Sequence, residues 1–225
     1  KLLHPRRDLE GLRVLVTAGP TMERIDPVRY LTNDSSGKMG YAIAAAAQAR
    51  GASVTLVSGP VHLTAPAGVS VVPVMSTQNL YDAMMTHCAS QDVIIQAAAP
   101  ADYRPAVMAP EKLKKQDGQP FVLTLVENPD VAKAVGEQKK PGQILVGFAA
   151  ETEHLLENAQ KKLDKKHLDM IVANDVTQAG AGFGVDTNIV TLISHQGMKS
   201  LPLLSKTEVA DRILDQVAVL RAQTH

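Results

Sequence analysis

The segment from Thr32 to Gly40 combines the residue types that proteins use to bind an anion. It precedes an Ala-rich stretch that predicts a helix. The free N–H groups and the positive dipole end of such a helix attract phosphate or carboxylate. Asn33 adds a neutral amide that can donate to one oxygen and accept elsewhere. The alternative, equally open from the local pattern, is a capped helix with Ser35 or Ser36 as its N-cap.

Two groups of lysines could bring positive charge to the same ligand. Lys112 opens a run with three lysines in four positions, inside a polar stretch at 109–118. Such a run fits either a solvated surface or a mobile flap that carries ammonium groups to a polyphosphate. Lys162 and Lys166 are four residues apart in a predicted helix and therefore share one face. That face could serve solubility alone or bind a triphosphate.

Strands and helices alternate along the chain, and these elements must position the residues named above. Short apolar runs predict strands at 12–18, 53–58, 69–74, 93–99, 121–126, 144–147 and 168–172. Helices are predicted at 37–50, 77–89 and 151–166, a short one begins at Asn128, and a long loop spans 19–32. Strands at 188–194 and 199–204 would form a hairpin, followed by a helix at 206–221. This alternation predicts an α/β domain with a mainly parallel sheet, helices on both faces, a flap and a C-terminal hairpin.

The predicted sheet also indicates where a ligand would bind. Ligands of open parallel sheets bind at the carboxyl ends of the strands. We therefore expect Gln96 to Asp102, which end the strand at 93–99, to lie near Asn33. Glycines at 179–184 form a loop without the Gly-x-Gly-x-x-Gly spacing of a dinucleotide site.

Composition excludes several classes of protein. The 225 residues carry 23 basic and 23 acidic side chains, so no overall field favours nucleic acid or an anionic membrane. Cys88 is the only cysteine, which excludes disulfides and a multi-cysteine metal site, and we interpret it as a packed small residue. No apolar run or signal-peptide pattern indicates a membrane or export, so we expect a cytoplasmic protein. Residues 1–10 resemble a linker from an upstream domain, with the functional domain at 11–225.

The sequence spacings typical of covalent catalysis or zinc binding are missing. The seven histidines show no ligand spacing such as His-x-x-x-His, and no Gly-x-Ser-x-Gly sequence occurs. The cations and amides that remain suit chemistry driven by positioning and charge stabilisation.

Nine short motifs, in order along the chain, resemble one enzyme family. They are Gly19-Pro20-Thr21, Asp26-Pro27-Val28-Arg29, Asn33 to Gly40, Ala101 to Pro105, Lys112 to Lys115, Asn128-Pro129-Asp130, Gly147 to Thr152, Ala173-Asn174-Asp175 and Gly182-Phe183-Gly184. Together they closely resemble the bacterial phosphopantothenate-cysteine ligases of coenzyme A synthesis, from about Gly11 onward. Members of this family have a Rossmann-like sheet, are homodimers and are commonly fused to a flavin-dependent decarboxylase, and the same is expected here.

The resemblance implies a two-step reaction. The carboxylate of 4′-phosphopantothenate attacks the α-phosphate of CTP with the help of Mg²⁺, and pyrophosphate leaves. The amino group of L-cysteine then attacks the acyl-cytidylate to give 4′-phosphopantothenoylcysteine and CMP. Asn33 is expected to bind the acyl group or its carboxylate, and Lys112 to stabilise charge at the phosphates. The metal ligands stay unknown.

The resemblance also assigns the binding residues. For CTP they are Ala97, Ala98, Asp102, Lys112, Pro129, Asp130, Val131, Ala132, Phe148, Lys162 and Lys166. For the acid substrate they are Arg29, Asn33, Ser35, Ser36, Gly37 and Ala98, with Arg29 expected at the distal phosphate of pantothenate, across a dimer interface. Pro100 departs from the family pattern because it lacks the N–H of the residue expected there.

Two other functions stay open from the residues alone. One is a Rossmann-type NAD(P)-dependent oxidoreductase, which the missing glycine fingerprint disfavours. The other is a non-catalytic regulatory domain that binds CTP but releases no pyrophosphate.

Overall fold

The computed structural model describes residues 6–115, 118–151, 155–175, 182 and 184–224. Its helices are α1 (Lys38–Ala49), α2 (Thr77–His87), α3 (Val131–Glu137), α4 (Leu155–Lys165) and α5 (Lys206–Thr224). Within these described residues, none of the helices combines the length and the apolar character that crossing a membrane requires.

The described strands form one large sheet and three two-stranded ribbons. The large sheet contains β1 (Arg13–Ala18), β4 (Ser53–Ser58), β5 (Val69–Pro73), β6 (Val93–Gln96), β9 (Ile144–Glu151), β10 (Met170–Asp175), β12 (Val190–Ser194) and β13 (Gly197–Ser200). The ribbons pair β2 (Met22–Arg24) with β3 (Tyr30–Thr32), β7 (Tyr103–Pro105) with β8 (Leu125–Glu127), and β11 (Thr187–Asn188) with β14 (Leu204–Ser205).

The strand order explains where a ligand can bind. Across the sheet it is β5-β4-β1-β6-β9-β10-β12-β13. The strands from β5 to β10 run parallel, and β12 and β13 add the predicted C-terminal hairpin in antiparallel orientation. Counted in chain order, the parallel strands stand as 3-2-1-4-5-6, which is the doubly wound order of nucleotide-binding sheets. The order reverses between β1 and β6, so the loops after these two strands frame the expected site.

Helices cover both faces of the sheet, as the sequence predicts. Side chains alternate between the faces along each strand. On β1, Val14 and Val16 belong to the core under α1 and α5, whereas Leu15 belongs to the core under α2, α3 and α4. Cys88 lies in the second core and burial raises the pKa of its thiol, which confirms its interpretation as a packed residue.

The residues just before β1 belong to the packed domain. Leu9 is 1% exposed and lies in the core under α1 and α5. The Asp8 carboxylate accepts hydrogen bonds of 2.9 and 2.6 Å from the guanidinium of Arg50. The buried Arg50 also donates to Asp215 at 3.0 Å. The packed chain therefore begins by Asp8, earlier than the predicted boundary at residue 11.

Three local predictions are wrong. The predicted loop at 19–32 contains the β2–β3 hairpin. The predicted strand at 121–126 is limited to Leu125–Glu127, because the side chains of Phe121 and Val122 are exposed and meet no second layer. Strand β9 does not end before Phe148 but continues through it, since it pairs with β10 as far as Glu151. Most of the predicted glycine loop at 179–184 lies outside the described residues.

Candidate active site

Two cavities lie at the carboxyl ends of β1, β6 and β9, one on each face of the sheet. The first, here the α3 cavity, has a volume of about 350 Å³ and lies on the side of α2, α3 and α4. The second, here the α1 cavity, has a volume of about 490 Å³ and lies beside the start of α1. Both are lined by Ala98, Pro100, Asp102, Phe148 and Lys162. The cavities therefore meet at the switch point of the sheet.

The loop after β6, which separates the cavities, is held in place by threonines from the loop and strand beside it. The Ala98 N–H donates to Thr17 Oγ1 at 3.0 Å, and the Ala101 N–H donates to Thr21 Oγ1 at 2.9 Å. Between them, the Ala99 N–H donates to the carbonyl of Gly19 at 2.9 Å. The missing N–H of Pro100 thus interrupts no hydrogen bond made by its neighbours.

Asn33 lies against this loop, as predicted. Its Nδ2 donates to the carbonyl of Pro100 at 3.0 Å and approaches that of Ala99 at 3.4 Å. These two bonds orient the amide so that the Oδ1 of Asn33, an acceptor, stays on the other side of the side chain. Pro100 therefore contributes through its carbonyl to the position of the proposed catalytic amide.

The start of α1 forms the next part of the α1 cavity. The N-cap is Gly37, with a φ of 75° and no side-chain cap, so the alternative of Ser35 or Ser36 as N-cap is wrong. The left-handed backbone at Gly37 favours glycine because it lacks a Cβ. A Cβ on Gly40 would lie 2.6 Å from the Cβ of Ala18 and 2.8 Å from the carbonyl oxygen of Thr17. Glycine at position 40 thus lets the start of α1 lie directly on the end of β1.

Two lysines that the sequence did not single out line the far wall of the α1 cavity. Lys38 Nζ donates to the carboxylate of Asp186 at 2.7 Å and to the carbonyl of Gly184 at 3.0 Å. Lys206, which is 6% exposed, donates to the carbonyl of Gly182 at 2.9 Å. Burial, together with the neighbouring charge of Lys38, lowers the pKa of Lys206. This side of the cavity therefore carries two lysines, and the charge of Lys38 is balanced by Asp186.

In the α3 cavity, Asp130 and Lys166 form an ion pair. Asp130 caps α3 by accepting the N–H of Lys133 at 3.0 Å, and Lys166 Nζ lies 2.9 Å from its other oxygen. Burial alone would raise the pKa of Asp130, but the Lys133 N–H and the Lys166 ammonium hold it below the usual value. Lys162 lines the same wall, so the predicted lysine pair shares one cavity.

Most of the predicted site residues are brought together. The predicted nucleotide residues that line the α3 cavity are Ala98, Asp102, Pro129, Asp130, Val131, Ala132, Phe148, Lys162 and Lys166. The predicted residues that line the α1 cavity are Asn33, Ser35, Ser36, Gly37, Ala97 and Ala98. Arg29 and Lys112 line neither cavity within this chain.

Arg29 and the flap residue next to Lys112 are instead bound to one buried carboxylate, Asp26. Its Oδ1 accepts the N–H groups of Val28 at 2.8 Å and Arg29 at 2.7 Å. Its Oδ2 accepts the Arg29 guanidinium at 2.7 Å and the Leu113 N–H at 3.1 Å. Although burial opposes it, these donors hold the pKa of Asp26 far below its usual range. Asp26 thus ties the β2–β3 hairpin to the flap and fixes the base of Lys112.

Several lining residues were missed by the sequence reasoning. Asn174 is buried at the end of β10 and lines the α1 cavity with Asn188 and Lys206. The position of Asn174 at a strand end was a signal that could have found it. Nothing comparable marks Lys206, which reaches the cavity only because α5 starts beside α1.

A metal cage made by protein alone is absent from the described residues, since no three His, Cys, Asp or Glu side chains converge there. Mg²⁺ in nucleotide enzymes is usually held by one or two carboxylates together with the phosphates. The exposed carboxylate of Asp102, which lines both cavities, fits that form of binding.

Comparison with known proteins gives a consistent assignment. The family model for the DNA/pantothenate metabolism flavoprotein C-terminal domain matches residues 9–220. The coenzyme A biosynthesis bifunctional protein CoaBC of Vibrio vulnificus (strain YJ016) is 49% identical over 215 residues, covering 95% of this chain and 54% of the relative. The CoaBC protein of Bacillus subtilis (strain 168) is 50% identical over 218 residues, covering 96% and 53%. The chain thus spans about half the length of the curated relatives it matches.

Comparison with solved structures agrees with the similarity to the CoaBC relatives. The crystal structure of the C-terminal domain of CoaBC superposes with a TM-score of 0.83 at 45% identity, covering 96% of this chain and 99% of that one. A Cab2 variant in complex with phosphopantothenate-cysteine has a TM-score of 0.77, covering 97% and 89%. At 15% identity that likeness shows the fold alone. The chain therefore belongs to the family of DNA/pantothenate metabolism flavoprotein C-terminal domains.

Proposed function

We propose that this chain is a CTP-dependent phosphopantothenate-cysteine ligase of coenzyme A synthesis. It would join 4′-phosphopantothenate and L-cysteine into 4′-phosphopantothenoylcysteine, with CMP and pyrophosphate as the other products. The observation that carries the proposal is the meeting of two different cavities at one loop. The α3 cavity offers lysines and an apolar floor for a nucleotide, and the α1 cavity offers amides and hydroxyls for a polar acid.

The arrangement suits activation of a carboxylate. A carboxylate oxygen is a poor leaving group, so the acid must first attack the α-phosphate of CTP, with loss of pyrophosphate. The amine of cysteine then attacks the acyl carbon, CMP leaves with the bonding electrons, and the amine gives up its proton. Asn33 lies at the loop where the cavities meet, and rotation of its Nδ2 away from the loop carbonyls would let it donate a neutral hydrogen bond to the reacting acyl group. The lysines at 162 and 166 would stabilise charge on the nucleotide.

Bound Mg²⁺ would supply charge neutralisation at the nucleotide phosphates. Among the described residues, Asp102 is the side chain that we propose to hold it. Its backbone is fixed because the Asn128 N–H donates to the Asp102 carbonyl at 2.8 Å. A cytoplasmic location follows from the proposed place in coenzyme A synthesis.

We further propose that the chain is active as a homodimer. The β2–β3 and β7–β8 ribbons lie side by side and expose apolar side chains. These exposed side chains include Val28, Tyr30 and Tyr103, and the segment before β8 adds Phe121 and Val122. Large exposed apolar side chains in such numbers favour a protein interface. Arg29 and Lys112 belong to these ribbons and the flap, so a partner subunit would receive them into its own site.

A dimer formed through these ribbons can be tested with Val122→Glu. Val122 is 82% exposed, so the substitution leaves the fold of one subunit unchanged. Analytical ultracentrifugation should then show a monomer, and ligase activity should fall. A dimer of unchanged stability in this variant would contradict the proposed interface.

Pyrophosphate release is the test of the proposed function. The purified chain is incubated with phosphopantothenate and each of the four NTPs, with and without cysteine. We expect release with CTP that becomes catalytic when cysteine is added. Binding of CTP without any pyrophosphate release would instead indicate the regulatory domain. Binding of NADPH, measured by a change in its fluorescence, would support the oxidoreductase. The β2–β3 hairpin between β1 and α1 disfavours that class, because it needs a tight glycine turn at this position.

The relatives named bifunctional are about twice as long as this chain. Covalent fusion to a flavin-dependent decarboxylase therefore stays a prediction of the family resemblance.

A further inference from the structure

The side chain of Gln96 has an unusual position at the end of β6. Within the described residues, its Nε2 is buried and has no hydrogen-bond partner. The same side chain lines the α3 cavity. Buried amide groups almost always have partners, and leaving one unpaired lowers stability. An unpaired amide beside a cavity therefore calls for a ligand group that pairs with it.

The alternation along β6 places Gln96 on the cavity side of the sheet. Val93 and Ile95 pack under α1 and α5, whereas Ile94 packs under α2, α3 and α4. Gln96 follows two positions after Ile94 and so shares its face. Its backbone is fixed between Thr17 of β1 and Gly147 of β9, so the buried amide reaches a ligand in the cavity by rotation of the side chain alone.

The lining of the α3 cavity combines two kinds of side chain. Leu80, Leu168 and Ile171 are apolar. The lysines at 162 and 166 are cationic, and Lys166 is paired with Asp130. A nucleotide has the matching combination, with flat apolar base faces, polar atoms on the base edge and a polyanionic tail.

We propose that the Gln96 amide hydrogen-bonds the base edge of the bound nucleotide, which makes Gln96 a base-contacting residue of this site. The inference rests on the proposed nucleotide-dependent function. A pyrimidine offers ring-nitrogen or carbonyl acceptors for the Nε2–H, and the exocyclic amine of cytosine offers a donor for the amide oxygen. A ligand that consists of phosphate alone offers acceptor oxygens for the Nε2–H but no donor for the amide oxygen and no flat apolar face.

The test is calorimetric titration of Gln96→Met, which keeps the length of the side chain but removes both amide groups. The probes are CTP and inorganic tripolyphosphate, which has no base. We expect CTP binding to weaken about 2- to 10-fold, the effect of one net hydrogen bond, while tripolyphosphate binding stays at the wild-type value. Unchanged CTP affinity, or an equal loss for both probes, would overturn the base contact. Gln96→Leu provides a second variant with the same expectation.

Gln143 provides the matched control. It is a buried glutamine in which Nε2 donates to the carbonyls of Cys88 at 2.9 Å and Gln91 at 2.6 Å, and Oε1 accepts the Lys140 N–H at 2.8 Å. Gln143→Met should lower the melting temperature and leave CTP affinity unchanged. Gln96→Met should melt at or above the wild-type temperature, because it removes an unpaired group. A fall equal to that of the control would mean that Gln96 is paired in the free protein, and would refute the inference.

The wild-type titration distinguishes a failure of the proposed function from a failure of the base contact. If the wild type fails to bind any NTP, the proposed function itself fails and the inference falls with it. If the wild type binds CTP and the Gln96 variants bind it equally well, only the base contact is refuted.

Discussion

Comparison of Asn33→Asp with Asn33→Ala separates the need for a hydrogen-bond donor from the need for a neutral side chain. The Asn33 Nδ2 donates to the Pro100 carbonyl at 3.0 Å, next to the Ala99 carbonyl at 3.4 Å. A carboxylate cannot donate and would face these two oxygens and an anionic substrate. Because residue 33 is exposed, the carboxylate can turn into water, so we expect the melting temperature to change by only a few degrees.

The expected loss of activity follows from two contributions. Removal of the donor costs about 1 kcal/mol. A negative charge about 4 Å from an anion costs about 1 kcal/mol in water and about 4 kcal/mol at an effective dielectric constant of 20. Because Asn33 is exposed, we expect a repulsion energy of about 1–3 kcal/mol. The sum of about 2–4 kcal/mol corresponds to a fall in kcat/KM of about 30- to 1,000-fold. Asn33→Ala loses only the donor and should fall about 5-fold.

Steady-state pyrophosphate release with phosphopantothenate as the varied substrate is the assay. Asn79→Asp is the matched control, since this exposed residue lies in the capping box of α2 and an aspartate there keeps the acceptor used by the Ser76 N–H. It should retain wild-type kcat/KM. Equal values for Asn33→Asp and Asn33→Ala would refute the electrostatic part of the reasoning, and wild-type values in both would remove Asn33 from the site.

Three further predictions concern the packing and charge of the domain. Gly40→Ala forces α1 away from β1, because its Cβ would lie 2.6 Å from that of Ala18. It should cost about 1–3 kcal/mol in thermal unfolding and weaken phosphopantothenate binding, and an unchanged melting temperature would contradict this. Arg50→Met should cost about 1–2 kcal/mol in urea unfolding at pH 7, less than a fully buried pair, because the Asp8 and Asp215 carboxylates are about a third exposed and can hydrate. The hydrogen bond from Arg50 holds the pKa of Asp8 below its usual value, so this stability is present above about pH 4 and is lost as the pH falls further. The variant should therefore lose less stability than the wild type below pH 4, and parallel acid profiles would contradict the assignment. Lys112→Gln should slow the burst of pyrophosphate release, and an unchanged burst would remove Lys112 from the mechanism.

Local sequence signals predicted the α/β architecture correctly, and many of the predicted site residues line two adjoining cavities. Short apolar runs are short-range patterns, and they located the buried strands β1, β4 and β6 with errors of at most a few residues. The rule that parallel strands present their ends at one edge then placed Asn33 beside the loop after β6. The lysines at 162 and 166 were predicted to share a face because helical spacing depends only on the backbone.

The errors arise where backbone geometry depends on distant residues. Gly37 has a left-handed backbone, and a Cβ there would lie 2.8 Å from Val61 Cγ1, so the alternative of a serine cap fails because of a residue distant in the chain. The apolar run containing Phe121 and Val122 has high strand propensity but no layer to pack against, so only its last part pairs. Strand propensity is realised only where a neighbouring strand and a covered face are available.

The sequence by itself thus determined the class of fold, the edge of the sheet at which the proposed site lies and the family to which the chain belongs. Only the tertiary structure decided which distant groups meet there. Asp26 contacts Leu113 across 87 positions, Lys38 contacts Asp186 across 148, and Gln96, whose Nε2 is buried and unpaired, lines a cavity. The physical reason is that strand order and helix packing set these distances, whereas the residue types alone record only which hydrogen bonds and charges are available.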